Sequence, residues 1–410
     1  MSGAVDGPLH GIKILDLTHV WAGPLSVRFL ADLGAQVVKV EAPYGRGPRV
    51  YPMAPIGGWL GGEPGTEPWN VNAIFNKLHR NRRSLCLDLK QTHGRETLLA
   101  LVGIADVLIE NFSADAMSRM GLGYDVLKLA NPQLIYVTMP GFGSTGPYRD
   151  RVAFGPTVEP MSGLSCMLGY GPGEPRNSAM ALMDPIGATH GAAAVVTALR
   201  QRESEGGGAY VELSLHEGGV AFSGPWLIER QMGGNPMSTG NRHPHMAPHG
   251  VYPCAGDDQW VALACENDDQ WEALCAVVET LERDMTLPLR RQNEDEIDAR
   301  IAAWTAPRAK QNVADHLQNA GVPAGAVNAA PDMLADAQVR ERNFFVAYER
   351  FATPMPGNPI HMAGLDPGQW SPCPALGEHN DEVLSQWLGY DVDRIHALRA
   401  TGVLLDEPPD

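Results

Sequence analysis

Two short apolar runs separated by a helical stretch constrain this fold most. Ile12-Lys13-Ile14-Leu15-Asp16-Leu17 reads as a buried strand, and Pro24 to Leu33 has the spacing of a helix. Gly34 is a helix stop, and Gln36–Glu41 reads as a second strand. Such a unit packs its strands in parallel through a right-handed crossover. The pattern continues with a helix over Arg95–Ala105, a strand at Asp106–Glu110, a helix end at Val126–Ala130 and a strand at Leu134–Thr138. This alternation predicts an α/β fold on an open sheet. The loop after the first strand, Thr18-His19-Val20-Trp21-Ala22-Gly23-Pro24, lacks GxGxxG and does not support a dinucleotide site.

The alanine-rich run Ala192–Leu199 extends another helix, followed by the turn Glu203–Gly208 and a strand at Ala209–Leu215. Past Ser223 the character changes. Gln231–His249 is rich in Gly, Pro, Asn and His and predicts a long irregular loop. Val251–Cys254 and Trp260–Cys265 read as a hairpin, and Asp269–Leu281 and Glu294–Trp304 as helices. We expect a large domain over 1–222, a smaller α+β domain over 223–328, and a segment 329–410 whose two helical patterns, Asn380–Val403, return to the large domain.

The chain has 410 residues, of which 44% are hydrophobic and 19% charged, enough for a large soluble core. Its net charge of −17 argues against non-specific nucleic-acid binding. A local arginine cluster can still hold an anionic small molecule. No apolar stretch reaches the length of a membrane span, and Met1–Gly7 lacks the features of a signal peptide. Six cysteines (Cys86, Cys166, Cys254, Cys265, Cys275, Cys373) are scattered without a CxxC, as free thiols in a reducing cytoplasm would be.

Asp184-Pro185 opens the alanine-rich helix. Asp favours the N-cap and Pro the first helical turn, so a plain cap explains the pair. The same placement suits a nucleophile, because the helix N-terminus keeps the carboxylate ionised and can stabilise an oxyanion. The local sequence leaves both open. His243, His245 and His249 crowd one loop, but two intervening prolines and no fourth ligand argue against a zinc site. Ser144 in Gly141-Phe142-Gly143-Ser144-Thr145-Gly146 misses the GxSxG pattern, so a glycine-rich turn is the better reading. Arg46 and Arg49, then Arg80, Arg82 and Arg83 with Lys77 and Lys90, then Arg119, are either solvated surface or a phosphate site.

Taken together the chain resembles the family III CoA-transferases, which include formyl-CoA transferase and the carnitine and bile-acid CoA-transferases. The matching pieces are Leu15–Pro24, Leu33–Glu41, Asn81–Lys90, Glu110-Asn111-Phe112, Arg119-Met120-Gly121 and Leu376–Leu384, in order along nearly the whole chain. The resemblance implies a large Rossmann-like open-sheet domain built from the N-terminal half plus the C-terminal tail, a small domain between them, and an interlocked homodimer. It implies that Asp184 is the nucleophile, attacking an acyl-CoA and passing through an anhydride and an aspartyl-CoA thioester, with no metal and no cofactor beyond coenzyme A as co-substrate. Carried over residue by residue, the coenzyme A contacts fall at Trp21, Ala22, Leu87, Asp88, Leu89, Lys90, Asn111, Phe112, Arg119 and Arg151. His19, Phe154, Arg242 and His243 are candidates for the acid-binding pocket.

Two departures bear on substrate choice. Trp21 stands where formyl-CoA transferase has a glutamine, which disfavours formyl and oxalyl groups. Ala42 stands where it has a CoA-binding arginine, for which Arg46 or Arg49 is the replacement. The glycine-rich lid of formyl-CoA transferase has no clear match, and Gln231–Gly240 is its candidate substitute. The competing readings are a 2-methylacyl-CoA racemase, a non-catalytic subunit of a heteromeric transferase, and a module that only holds a pantetheine ligand. The racemase histidine falls at Phe154, which takes no proton, and His190 lies a turn inside the helix. By family habit the donor is succinyl-CoA. The pocket around Trp21, Phe154 and Asn241–His249 suits an aromatic or branched acid, or a dicarboxylate.

Overall fold

Six strands, β1 (Lys13–Asp16), β2 (Gln36–Glu41), β3 (Arg82–Cys86), β4 (Val107–Glu110), β5 (Ile135–Thr138) and β6 (Ala209–Glu212), pair in parallel in the order β3-β2-β1-β4-β5-β6. The computed structural model describes residues 6–51, 53–366 and 370–409. Ile14 of β1 aligns with Val37 on one side and Val107 on the other. The inner strands β1, β4 and β5 are buried on both faces because both are covered, whereas the edge strand β6 leaves Tyr210 exposed. Ile14, Val37, Val107, Ile109 and Ile135 face one core, while Leu15, Val38, Leu108 and Tyr136 face the other.

The connections supply the covering helices: α1 (Ala22–Asp32), α2 (Ala73–Leu78), α3 (Thr92–Val102), α4 (Ala116–Arg119), α5 (Tyr124–Ala130), α6 (Gly155–Met161), α7 (Leu164–Met167), α8 (Met183–Glu205), α9 (Leu215–Phe222) and α10 (Gly224–Gln231). Val27 and Leu30 of α1 and Val195 and Ala198 of α8 share a core on one face. Leu98 and Leu101 of α3 line the other. The α/β class and the parallel open sheet read from the alternation are what the chain adopts. Periodicity assigned no element to β3, which opens on two arginines. It forms because Arg82 pairs with Asp16 inside the sheet and Arg83 with Glu382 at 2.7 Å.

Contact clustering divides the chain into two units. One comprises Met1–Ser165, Asn177–Met232 and Asn343–Asp410, and the other Cys166–Arg176 and Gly233–Arg342. The second contains the antiparallel sheet β7 (His249–Pro253), β8 (Trp260–Ala264) and β9 (Ala324–Ala326). Helices α11 (Asp268–Val277), α12 (Leu287–Gln292), α13 (Glu294–Thr305) and α14 (Lys310–Asn319) bury Trp271, Leu274, Ile297, Ile301 and Leu317 in a core of its own. Short helices α15 (Ala330–Ala335) and α16 (Ala337–Glu341) lead to the hairpin β10 (Phe345–Tyr348) and β11 (Phe351–Pro356) in the first unit. The tail helices α17 (Asn380–Leu388) and α18 (Val392–Ala400) bury Val383, Leu384, Ile395 and Leu398 in the same core as Leu85 of β3. Among the described residues no helix is long and apolar enough to cross a membrane.

Candidate active site

Parallel strands send every loop that follows a strand to one edge of the sheet. Strand order reverses between β1 and β4, and the crevice outside that point is where doubly wound sheets hold ligands. Two loops meet there. The Asn111 side chain, just past β4, accepts the His19 N–H at 2.7 Å and donates to the His19 carbonyl at 2.8 Å. Both ends of one amide thus clamp the loop after β1.

Buried charge anchors that loop from below. Asp16, fully buried, accepts the Thr18 N–H at 2.8 Å and the Thr18 hydroxyl at 2.6 Å. It pairs with Lys39 at 3.4 Å and with Arg82. Burial pushes its pKa up, but Lys39 and Arg82 outweigh burial and hold it below the ordinary value. Lys39 also donates to the Thr18 carbonyl. His19 is held neutral, its pKa down at about 4, by burial and then by Lys39.

Asp184 does not cap α8. Leu182 is the N-cap, and Asp184 lies in the first turn with its N–H on the Ala181 carbonyl at 2.9 Å. Its carboxylate reaches out of its own helix to accept the N–H of Ala22, the first residue of α1. The cap reading therefore fails, because this side chain serves another helix. Gly155, which opens α6, lies against Oδ2 so closely that a Cβ there would overlap the oxygen. Asp184 is only 8% exposed. Burial raises its pKa to about 6, against the opposing pull of the Ala22 hydrogen bond.

The other predicted residues of the first unit spread along the same edge. The Trp21 indole packs with Leu25, Ile74, Leu78 and Ala188, one helical turn beyond Asp184, and Lys77 lies 5.4 Å over its ring. Phe112 stands 5.3 Å from the His19 ring. The Leu87 side chain is wholly in the core, and its N–H is taken by Glu41, so only its backbone carbonyl is left for a ligand. Asp88 accepts the Lys90 N–H at 3.0 Å, Leu89 packs on the core and Lys90 is exposed. Arg119 is exposed and donates to Ala114 O and Ser113 Oγ. Arg151 is exposed with its guanidinium 3.7 Å over the Tyr148 ring, and Phe154 is 56% exposed at the start of α6. Arg242 and His243 belong to the second unit. Arg242 there meets Glu294, Asp295 and Asp298 within 3.0 Å, and His243 stands 5.3 Å from the His249 ring. Among the described residues no group of three His, Cys, Asp or Glu could hold a metal ion.

The phosphate reading of the first arginines is corrected. Arg46 is buried and grips Glu41 through two hydrogen bonds of 2.6 and 2.7 Å, so it does not replace the missing arginine at Ala42. Arg80 is likewise bidentate on Asp32, and Arg82 is on Asp16. These are internal ion pairs, invisible in sequence because each partner lies 5 to 66 residues away. Arg49 meets Glu407 at 2.8 Å. Ser144 sits in a turn, its N–H on Glu212 at 2.8 Å. His190 is exposed with Nδ1 on the Ile186 carbonyl of its own helix.

Sequence reasoning missed Gly155 and Glu159, whose signals were slight: a glycine beside Pro156, and an acid between Val158 and Pro160. Of the cavity of about 350 Å³ that adjoins the first loop, His19 and Arg46 were candidates, but Ile74, Phe75 and His79 on the same wall were missed. Phe75 stacks on His79 at 3.9 Å.

A doubly wound sheet with a buried, ionisable aspartate at its switch-point edge defines an enzyme site built for a small-molecule ligand. The chain belongs to CoA-transferase family III, whose model matches residues 9–380. It is 31% identical to the succinyl-CoA–D-citramalate CoA-transferase of Chloroflexus aurantiacus, over 97% of this chain and 98% of that protein. It is 33% identical to the succinate–glutarate CoA-transferase of Agrobacterium fabrum (92% and 95%) and 34% identical to the acetyl-CoA:oxalate CoA-transferase of Acetobacter aceti (91% and 94%). A solved CAIB/BAIF family protein from Brucella suis superimposes with a TM-score of 0.82 at 30% identity, over 93% of this chain and 99% of that one. The protein is a transferase that moves coenzyme A from an acyl-CoA to a carboxylic acid.

Proposed function

We propose that Asp184 carries the transfer covalently. Its carboxylate attacks the thioester carbon of the donor, the C–S bond breaks, and coenzyme A leaves as thiolate from an acyl–aspartyl anhydride. The thiolate attacks the aspartyl carbonyl, freeing the donor acid and leaving a CoA thioester on Asp184. The acceptor carboxylate displaces the thiolate again, forming a second anhydride. The thiolate then takes the acceptor's acyl group and restores Asp184. Thioester energy is conserved throughout, so no nucleotide is consumed.

One observation carries this reading: the Asp184 carboxylate is buried at the switch-point edge, held by the Ala22 N–H and pressed on Gly155. A pKa of about 6 leaves it ionised by roughly ten to one at pH 7. Burial strips the hydration that makes carboxylates poor nucleophiles in water. The coenzyme A contacts in this reading follow the carboxyl edge through Trp21, Ala22, Leu87, Asp88, Leu89, Lys90, Asn111 and Phe112 to Arg119 and Arg151. Exposed Lys90, Arg119 and Arg151 suit its phosphates. His19 and Phe154 face the acid on this reading.

Succinyl-CoA is the proposed donor and a dicarboxylic acid the acceptor, supported by relatives named for succinate, glutarate and citramalate. The same reading includes an interlocked homodimer, in keeping with α10, which buries none of its residues and exposes Leu227 and Ile228. It includes a cytoplasmic location, in keeping with six unpaired cysteines.

The experiment is covalent trapping. Incubation with succinyl-CoA followed by hydroxylamine should convert Asp184 to a hydroxamate, read by mass spectrometry of its peptide. Asp184→Ala should lose turnover and keep coenzyme A binding. Full turnover with an unmodified Asp184 peptide sinks the proposal.

A further inference from the structure

Glu159 has no assigned role, and its surroundings are unusual. It is 0% exposed, yet among the described residues it makes no ion pair. Buried carboxylates are ordinarily matched by a cation. Here the match is three hydrogen-bond donors from one short segment. Oε1 accepts the Ser178 N–H at 2.6 Å. Oε2 accepts the Ser178 hydroxyl at 2.6 Å and the Leu182 N–H at 3.1 Å. Those donors bracket the entry to α8. Between them lies Ala181 at φ +45°, a left-handed conformation that a residue with a Cβ adopts only when its surroundings force it. Asp184 follows at once, its N–H on the Ala181 carbonyl.

The same helix supplies the second contact. Gly155 and Glu159 are four residues apart on α6 and so share one face. Gly155 abuts the Asp184 carboxylate, and Glu159 holds the backbone that presents it. One helix therefore governs both where the carboxylate sits and how the chain arrives there. A cap alone would need one oxygen on one N–H. This carboxylate instead holds two residues on either side of a strained one.

We infer that Glu159 is a positioning residue, holding Ser178–Leu182 so that the Asp184 carboxylate stays on the Ala22 N–H and against Gly155. The inference rests on Asp184 as nucleophile. Glu159→Gln keeps the shape but turns one acceptor into an amide that faces donors. We expect kcat to fall 10- to 100-fold while coenzyme A affinity stays within twofold. We also expect the acid limb of kcat to move below pH 6, because a carboxylate that swings into water loses the burial that raised it. A merely structural glutamate would not move that limb.

A second variant keeps the test independent of folding yield. Ala181→Gly removes the strain, since glycine takes positive φ freely. In the Glu159→Gln background it should restore kcat at least threefold. If Glu159→Gln proves insoluble, Ser178→Ala removes one donor, and its acid limb should shift the same way. An unmoved limb, a normal kcat, or no restoration by Ala181→Gly each overturns the inference. Turnover surviving in Asp184→Asn would instead overturn the nucleophile reading, so the two failures are told apart.

Discussion

Asp184→Asn should stabilise the protein at alkaline pH while abolishing its activity. Burial raises the Asp184 pKa to about 6 from an ordinary 3.8. That gap of roughly two in pKa corresponds to about 3 kcal/mol, at about 1.36 kcal/mol for each. The folded pKa lies above the unfolded one, so folding takes up a proton between about pH 4 and 6. The resulting stability is fully present below about pH 4 and lost as the pH rises through 6. Asparagine is neutral at both ends and can still accept the Ala22 N–H through Oδ1. The variant therefore lacks this slope. Urea unfolding of both proteins at pH 4.5 and pH 8.0 measures it. The variant's stability relative to the parent should rise by about 1–2 kcal/mol between the two, since at pH 4.5 the unfolded carboxyl is already mostly ionised, the lower end allowing for relaxation and water entry. A difference that stays flat with pH, or falls, would refute the claim that the fold disfavours the charged nucleophile. Such a gain on removing the charge of the proposed nucleophile is the usual stability–activity trade-off.

Three further outcomes follow from the same geometry. The kcat of the parent enzyme should fall on the acid side with a midpoint near pH 6, since in the proposed mechanism only the carboxylate attacks; a midpoint near 4 in a pH–rate profile would contradict the burial of Asp184. Gly155→Ala drives a methyl into Oδ2 and should lower kcat about 10- to 1,000-fold at nearly constant KM for acyl-CoA, because displacing a reacting group by an ångström is costly; equal loss in both terms would argue for general disruption. Arg46→Met leaves Glu41 buried without its partner and should lower stability by about 3–5 kcal/mol in urea. Its surviving folded fraction should bind coenzyme A normally, and weakened binding would return Arg46 to the ligand.

Much of the fold was legible because strand and helix periods differ. Gln36–Glu41 matches β2 residue for residue, and the alternation through Leu134–Thr138 required a parallel sheet. β3 was not legible, since its signal is an ion pair with a residue 66 positions earlier rather than a periodicity. Loop 18–24 and Asn111 were picked out by likeness alone. That an amide clamp joins them follows from a strand order that no local pattern encodes.

The sequence by itself determined the α/β class, the edge on which the loops gather and the family, because each depends on residue types and their order. It named Asp184, but its local pattern favoured a cap and only likeness to the family suggested a nucleophile, since both want the same residue before the same helix. Only the tertiary structure removed the cap reading. It brought Ala22 of α1 and Gly155 of α6 against one carboxylate and took that carboxylate out of water. It also turned Arg46, Arg80 and Arg82 from phosphate candidates into buried partners of Glu41, Asp32 and Asp16. Burial and charge pairing are properties of neighbours in space, and a chain distant along its sequence supplies those neighbours only once it has folded.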